Sequence, residues 1–189
     1  MAKEHKLVIN SFAELKDFIL NPMLFNAINV KGAPSEIISI EQCSALAEAI
    51  KLHSGRISFI KLNNVCMSDK GAITICEALA SRSVLSNYQP SILDLGQNCL
   101  TDASISALKS LGLKVKALYL HSNYFGDGAL QFKGSVLANE FNYVILNDNY
   151  IKTTEAITKF SCFSDYISCA NQKLVEGDDS EVIGEGAEA

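Results

Sequence analysis

The sequence predicts an α/β protein in which a parallel sheet lines one side and helices cover the other. Four segments share one spacing of apolar residues, and each is followed by a stretch with helical periodicity. These segments start at Ile57, Pro90, Val115 and Phe141, so the pattern returns at similar but unequal intervals. Such self-similarity is typical of repeat proteins, in which stacked units bury a continuous core.

The common pattern is L-x-x-L-x-L-x-x-N-x-L, and its positions are numbered one to eleven below. The matching segments are ISFIKLNNVCM, PSILDLGQNCL, VKALYLHSNYF and FNYVILNDNYI. Position nine is Val65 in the first segment and an asparagine in the others (Asn98, Asn123 and Asn149). A weaker copy, FNAINV, starts at Phe25 and loses the pattern at Pro34.

Alternation within each segment indicates a strand whose residues at positions four and six point inward. The asparagine at position nine then lies where the chain turns away from the sheet. Its amide can bond backbone groups of the neighbouring unit and so satisfy a buried turn. We therefore expect Asn98, Asn123 and Asn149 to be structural residues.

Helical periodicity follows each strand, over 41–52, 70–80, 103–109, 128–138 and 153–160. The pairs Ser68-Asp69, Thr101-Asp102 and Gly126-Asp127 stand where three of these helices begin, and such residues can cap free N–H groups. An N-terminal helix is predicted from Ser11 and Glu14, which have capping-box spacing, and ends before Pro22. The predicted organisation is a helical cap over 1–24, repeats over 25–160, a second cap over 161–173 and a disordered acidic tail over 174–189.

This pattern resembles the leucine-rich repeat, and the strand-plus-helix unit is similar to the ribonuclease-inhibitor type, over residues 25–160. The resemblance implies a short horseshoe-shaped solenoid with the sheet on its concave side. It differs in an insertion around SRSVLSNYQP and in two short units, which start at Pro90 and Val115. These departures affect the regularity of the curvature rather than the fold.

Composition and charge exclude several classes of function. The net charge is −5, but the segment after residue 173 holds six acids and no base, and the remaining chain has 16 bases and 15 acids. This balance gives no basic surface for nucleic acid. No apolar run is long enough for a membrane helix, and Leu7, Val8 and Ile9 are too few for a secretory signal. We therefore expect a cytoplasmic monomer.

Metal, cofactor and catalytic signatures are missing from the sequence. The six cysteines show no C-x-x-C spacing and there are three histidines, so neither a zinc site nor a cofactor is expected. The cysteines are interpreted as reduced thiols packed as small hydrophobic residues. No nucleophile elbow, phosphate-binding loop or metalloprotease motif occurs, and GDG at 126–128 is interpreted as a turn into a helix. The chain is not expected to be an enzyme.

Solvent-facing positions three, five and seven of the strands form the candidate binding surface. Aromatic side chains beside a few charges are typical of protein interfaces. The predicted partner-binding residues are Phe59, Lys61, Asp94, Tyr119, His121, Tyr143, Ile145 and Asn147. Asp94 and His121 are also a possible catalytic pair, on adjacent strands but two positions out of register, with Ser122 as the nearest nucleophile. An ordinary sheet face is the alternative.

The sequence thus predicts a non-enzymatic module that binds a protein or peptide through the concave face and adjoining loops. The glutamate-rich tail is similar to the translocation signals of effectors injected through bacterial type IV secretion, which would place the protein in a host cytosol. The alternatives are an activator of a small GTPase, a function of some ribonuclease-inhibitor-like repeat proteins, and a purely structural scaffold.

Overall fold

In the part of the chain that the structure describes, seven parallel strands lie side by side in the order in which they occur in the sequence. The computed structural model describes residues 8–21, 25–53, 55–82, 90–111, 115–133, 141–152, 167–168 and 172. The strands are β1 (Val8–Ile9), β2 (Ala27–Lys31), β3 (Phe59–Asn63), β4 (Ile92–Asp94), β5 (Ala117–Tyr119), β6 (Tyr143–Ile145) and β7 (Ile167–Ser168). Each strand with the segment that follows it is called a unit and carries the number of its strand.

Helical segments connect the strands. The α-helices are α1 (Phe12–Leu20), α2 (Ile40–Leu52), α3 (Asp69–Ser81) and α4 (Ile105–Lys109), and 3-10 turns cover Asp102–Ser104 and Asp127–Gln131. Ser39 and Gln42 form a capping box at the start of α2, and the Ser11 hydroxyl accepts from the Glu14 N–H at the start of α1. The Glu14 carboxylate accepts from the N–H of Asn10, one residue before the predicted partner.

Residues at equal pattern positions pair across neighbouring strands. Phe59 pairs with Ile92, Ile92 with Ala117, and Ala117 with Tyr143, and all four occupy position three. Since side chains alternate along a strand, positions three, five and seven form rows on one face of the sheet and positions four and six on the other.

The core lies between the sheet and the helices. Residues at positions four and six of units 2 to 6 have 0% exposure: Ile28, Val30, Ile60, Leu62, Leu93, Leu95, Leu118, Leu120, Val144 and Leu146. Helix residues such as Leu46, Ile75 and Leu79 close the other side. Each buried aliphatic side chain of this kind contributes about 1.5–3 kcal/mol relative to an exposed one. The prediction of an α/β protein with one all-parallel sheet is confirmed.

Buried asparagine amides connect successive units at position nine. Asn149 Oδ1 accepts from the N–H groups of Asn123 and Phe125 in the preceding unit, at 3.2 and 3.1 Å. Its Nδ2 donates to Leu120 O of that unit at 3.0 Å and to Leu146 O of its own unit at 2.9 Å. Asn98 and Asn123 make corresponding bonds to units 3 and 4. The bends thus keep their buried backbone groups paired where the strand ladder has ended.

The two ends of this amide ladder depart from the pattern. Val65 takes position nine of unit 3 and has no polar side-chain atom, so Asn64 Nδ2 reaches the preceding unit instead and donates to Gly32 O at 2.8 Å. In the last unit, Gln172 accepts from Ile151 N at 3.1 Å and donates to Leu146 O at 3.0 Å. Gln172 therefore performs the function of the position-nine asparagine.

Aspartates at the starts of the helical segments form a second set of bonds between units. Asp102 accepts from the N–H groups of Gly126 and Gly128 in the next unit, at 2.9 and 3.0 Å. Asp69 and Asp127 bond the next unit in the same way. Of the predicted capping pairs, Ser68 and Thr101 make the side-chain caps, and the aspartates that follow them lie in the first turn and bond the next unit instead. A Cβ at residue 128 would lie 2.5 Å from Asp102 Oδ2, which explains the second glycine of GDG.

Both predicted caps contain a strand that the sequence pattern did not predict. Val8–Ile9 pairs with Ala27 and Ile28, so β1 and not α1 covers the edge of β2. At the other end, Ile167–Ser168 pairs with Val144 and Ile145. Two-residue strands are too short for an apolar alternation to be recognised.

The later helices also differ from the prediction. Residues 127–131 form a 3-10 turn at the start of the helix expected over 128–138, residues 132–133 are helical, and 134–138 lie outside the described residues. Residues 102–104 precede α4 as another 3-10 turn. The short units 4 and 5 leave few residues for their connections, and the tighter 3-10 turn advances further per residue. The predicted helix over 153–160, the acidic tail over 174–189 and most of the cap over 161–173 lie outside the described residues.

His53 holds the start of unit 2 in place. Its Nδ1 accepts from Gly55 N–H at 2.8 Å, and its Nε2 bonds the backbone carbonyl of Phe25, whose ring contacts the imidazole edge-on at 4.5 Å. Burial lowers the pKa of His53, and the nearby positive charge of Arg82 lowers it further. The neutral ring is therefore the form that fits the fold.

Replacing Asn123 by Leu should destabilise the fold by about 3–5 kcal/mol, because several buried backbone groups of units 4 and 5 lose their partners. Urea unfolding measures this change. Asn142 is exposed and provides the matched control: Asn142→Leu should change stability by less than about 0.5 kcal/mol. Equal stability of the two variants would contradict the structural role of Asn123.

Acidification should weaken the fold through His53. Because its pKa is lowered in the folded state, its contribution is complete above the unfolded value of about 6.5 and decreases as the pH falls below it. We expect the wild type to lose more stability between pH 7.5 and 5 than His53→Gln, which has no titrating ring. Urea unfolding at several pH values provides the comparison, and parallel pH profiles would rule out this contribution.

Candidate functional site

The face of the sheet opposite the helices, called the open face, carries the side chains at positions three, five and seven of units 2 to 6. It divides into two halves with a cluster between them. The polar half lies on units 2 and 3 and the aromatic half on units 5 and 6. The central cluster lies where the two halves meet, on units 3 to 5. All eight predicted partner-binding residues lie on this face: Phe59, Lys61, Asp94, Tyr119, His121, Tyr143, Ile145 and Asn147.

Cationic and aromatic groups meet in the polar half. Lys61 Nζ lies 5.5 Å from the centroid of the Phe59 ring, which is close enough for a cation–π contact. Asn29 and Lys31 on β2 are exposed, whereas Phe59 and Lys61 are half-buried. This half presents two ammonium groups beside one ring.

Asp94 is the centre of the middle cluster. Its Oδ1 accepts from Asn63 Nδ2 at 2.7 Å and from the Gly96 N–H at 3.0 Å. His121 Nε2 lies 3.9 Å from the same oxygen, too far for a hydrogen bond. The Asp94 and His121 side chains thus approach each other although they lie at positions five and seven of their units.

A glycine makes room for the histidine ring. A Cβ on Gly96 would lie 2.2 Å from His121 Nε2, so the imidazole packs directly on the Gly96 backbone. The other ring nitrogen, Nδ1, lies 3.4 Å from the Ser122 hydroxyl. Asp94, His121 and Ser122 therefore occur in the order of a catalytic triad, but at distances longer than those of an activated nucleophile.

The backbone at Ser122 gives no support to a nucleophile either. Its φ of 55° is left-handed, a conformation that can mark a strained catalytic residue. However, the other position-eight residues of units 3, 4 and 6 share it: Asn64 at 54°, Gln97 at 58° and Asp148 at 58°. The conformation belongs to the repeating bend, so it does not mark Ser122 as a strained nucleophile.

Apolar surface dominates the other half of the open face. Tyr119 pairs with Ile145, and Ala117 pairs with Tyr143, whose side chain is 49% exposed. Tyr119 and Ile145 are half-buried, as is Asn147 at position seven of unit 6. These residues form a patch whose phenolic hydroxyl groups can also bond a partner.

Comparison with known proteins gives a fold but no family. No protein-family model matches the chain, and no curated protein sequence matches it. Among solved structures, one described as leiomodin-1 actin-binding site 2 resembles this chain with a TM-score of 0.55 and 16% identity. The match covers 78% of this chain and 83% of that one. At this identity the likeness concerns the fold alone.

Two further findings concern metals and membranes. Among the described residues, no three side chains of His, Cys, Asp or Glu are grouped so that they could hold a metal ion. In the same part of the chain, no helix combines the length and the apolar character that crossing a bilayer requires.

Some side chains of interest were not among the predicted site residues. Tyr124 and Tyr150 follow the position-nine asparagines of units 5 and 6, and their rings stack at 5.6 Å with an interplanar angle of 12°. Cys66 and Cys99 occupy the same position ten in units 3 and 4. A comparison of position ten across the aligned segments would have identified all four as neighbours.

Gly96→Ala should move the His121 ring away from Asp94 and destabilise the protein by about 1–3 kcal/mol, as overpacking does. The ring signals of His121 in two-dimensional NMR and urea unfolding report the two effects. Gln97→Ala, at the exposed neighbouring position, is the control and should leave the ring signals in place. Unchanged His121 signals in Gly96→Ala would show that the packing on Gly96 is wrong.

Proposed function

We propose that the chain is a leucine-rich repeat solenoid of the ribonuclease-inhibitor-like type that binds a protein or peptide, without catalysis, through the open face and the loops beside it. The parallel strands in chain order, the helices behind them and the amide ladder at position nine support the solenoid. A sheet extended unit by unit offers a continuous binding surface of this kind.

The composition of the open face is the observation that carries the binding function. Two tyrosines and an isoleucine lie beside an Asp94–His121 cluster, and Phe59 and Lys61 continue the surface on the next strand. Aromatic anchors surrounded by a few oriented polar groups are typical of the energetically important part of interfaces. The carboxylate of Asp94 is already positioned by two donors, so a partner donor meets an ordered acceptor.

The size of the sheet limits the partner. Strands about 4.8 Å apart give the five central units a width of roughly 20 Å. Positions three to seven extend about 14 Å along each strand, so the open face offers about 300 Å². A standard interface uses roughly 800 Å² on each side. The partner is therefore an extended peptide, or a protein that also contacts the bends at positions seven and eight.

One candidate setting and two candidate partners follow from separate considerations. The acidic tail motivates delivery into a host cell, which a translocation assay without residues 174–189 tests. The resemblance to the ribonuclease-inhibitor type motivates a small GTPase, which a GTP hydrolysis assay tests. The leiomodin structure is described as an actin-binding site, so co-sedimentation with filamentous actin provides a third direct assay.

Tyr119→Ala combined with Tyr143→Ala should lower partner recovery at least tenfold, because hot-spot aromatics contribute about 2 kcal/mol or more each. Affinity capture followed by quantitative mass spectrometry measures this recovery. This double variant must have the same melting temperature as the wild type, so that a loss of recovery reflects weaker binding and not unfolding.

The matched control is Leu20→Ala combined with Leu52→Ala, which removes two exposed apolar side chains from the helices and should leave recovery unchanged. Tyr124→Ala combined with Tyr150→Ala tests the loops. Full recovery by the folded Tyr119/Tyr143 variant would exclude the open face as the binding site.

A further inference from the structure

Position ten of the pattern, just after the asparagine ladder, forms a row on the outer edge of the bends. From unit 3 to unit 6 it holds Cys66, Cys99, Tyr124 and Tyr150. The N–H groups of Cys99, Tyr124 and Tyr150 each donate to the carbonyl at position eleven of the preceding unit, at 2.8–3.0 Å. Because this hydrogen bond recurs from unit to unit, successive position-ten side chains lie near each other, as the stacked Tyr124 and Tyr150 rings show. This row lies outside the open face.

The first two members of the row are thiols on neighbouring units. Cys99 N donates to Met67 O, the carbonyl next to Cys66, at 3.0 Å, and Cys99 also forms a parallel bridge with Ser68. The two side chains are neighbours, since Cys66 is among the groups that raise the pKa of the Cys99 thiol. Cys99 is exposed and Cys66 half-buried, so an oxidant in solution reaches this pair.

The other two described cysteines have a different environment. Cys43 and Cys76 are buried in the helical layer at 1% and 0% exposure. Burial raises the pKa of Cys43 to about 11 and that of Cys76 to about 12. These two thiols match the expectation of small hydrophobic residues, whereas Cys66 and Cys99 do not.

We propose that Cys66 and Cys99 are a modification site that a hydroperoxide converts reversibly into a disulfide between units 3 and 4. The Cys99 sulfur, after losing its proton, attacks the distal peroxide oxygen: an S–O bond forms, the O–O bond breaks, and the leaving oxygen takes a proton to become an alcohol or water. The Cys66 thiolate then attacks the Cys99 sulfur, which forms the S–S bond and releases water. Two electrons pass from the thiols to the peroxide, and a dithiol reductant reverses the change.

The backbone places Cys66 diagonally across from Cys99. The bridge pairs Cys99 with Ser68, two residues further along unit 3, and neighbouring units are about 4.8 Å apart. A disulfide requires a Cα separation of roughly 4.4–6.8 Å, so the bend at Cys66 has to shorten this diagonal. Among the position-ten residues of units 3 to 6, Cys66 alone has a left-handed backbone, with a φ of 47°. In that unit Val65 replaces the asparagine at position nine, so the bend differs from its neighbours at the point where the thiol meets Cys99.

The rate of reaction should increase with pH. Desolvation and the neighbouring Cys66 raise the pKa of Cys99, so little thiolate is present at neutral pH. Oxidation is therefore expected to be slow at pH 7 and faster at pH 8.5, without a change in the residues that are joined.

The test is treatment of the folded full-length chain with hydrogen peroxide, followed by intact-mass measurement and peptide mapping under non-reducing conditions. We expect a mass loss of about 2 Da, corresponding to two hydrogen atoms, a Cys66–Cys99 linked peptide and full reversal by dithiothreitol. The buried Cys43 and Cys76 should remain free thiols in the same sample.

Two variants test separately the thiol that reacts with peroxide and the thiol that completes the disulfide. Cys66→Ser should not lose this mass and should instead accumulate a sulfenic acid at Cys99 that dimedone traps. Cys99→Ser should show neither change. Linkage of Cys99 to Cys162 or Cys169, or irreversible oxidation of Cys99 in the wild type without a disulfide, would overturn the assignment.

Discussion

The structure depends on one interaction, the hydrogen bonding of the position-nine asparagine amide to backbone groups of two successive units. At each bend the chain leaves the sheet while still buried, so its N–H and C=O groups can reach neither the strand ladder nor water. An amide supplies a donor and an acceptor on a short side chain, and Asn149 uses both toward unit 5. An aspartate would lack the donor. Glutamine is longer and takes this position at Gln172, beside the short final strand.

Fixed register between units determines what the surface can contain. Because equal positions lie side by side, each row of the open face presents one side chain per unit, and its chemistry changes stepwise along the sheet. The left-handed residue at position eight is part of the bend that every central unit repeats. The conformation of Ser122 therefore does not indicate catalysis. The side chains of Tyr119, Tyr143 and His121 take no part in the backbone bonds that join the units.

Burial and the asparagine spacing made the central units predictable from the sequence. Positions four and six are aliphatic because they have no exposure, and Asn98, Asn123 and Asn149 recur because the bends require an amide. The end strands could not be predicted, since β1 and β7 have two residues each and Gln172 replaces the expected asparagine. The cross-unit bonds of Asp69 and Asp102 were missed because local spacing fits a helix cap equally well. The approach of His121 to Asp94 depends on the space left by Gly96. The sequence of a single unit does not show that this space receives a ring from the next unit.

Native-state hydrogen exchange at the bend amides tests the central role of the asparagines most directly. The N–H groups of Met67, Leu100 and Phe125 each donate to an asparagine Oδ1 in the next unit. If these bonds hold the units together, the three amides should exchange only through global unfolding, at the slow rate of the core strands. Exchange as fast as that of an exposed loop amide, with the strand amides still protected, would contradict this account.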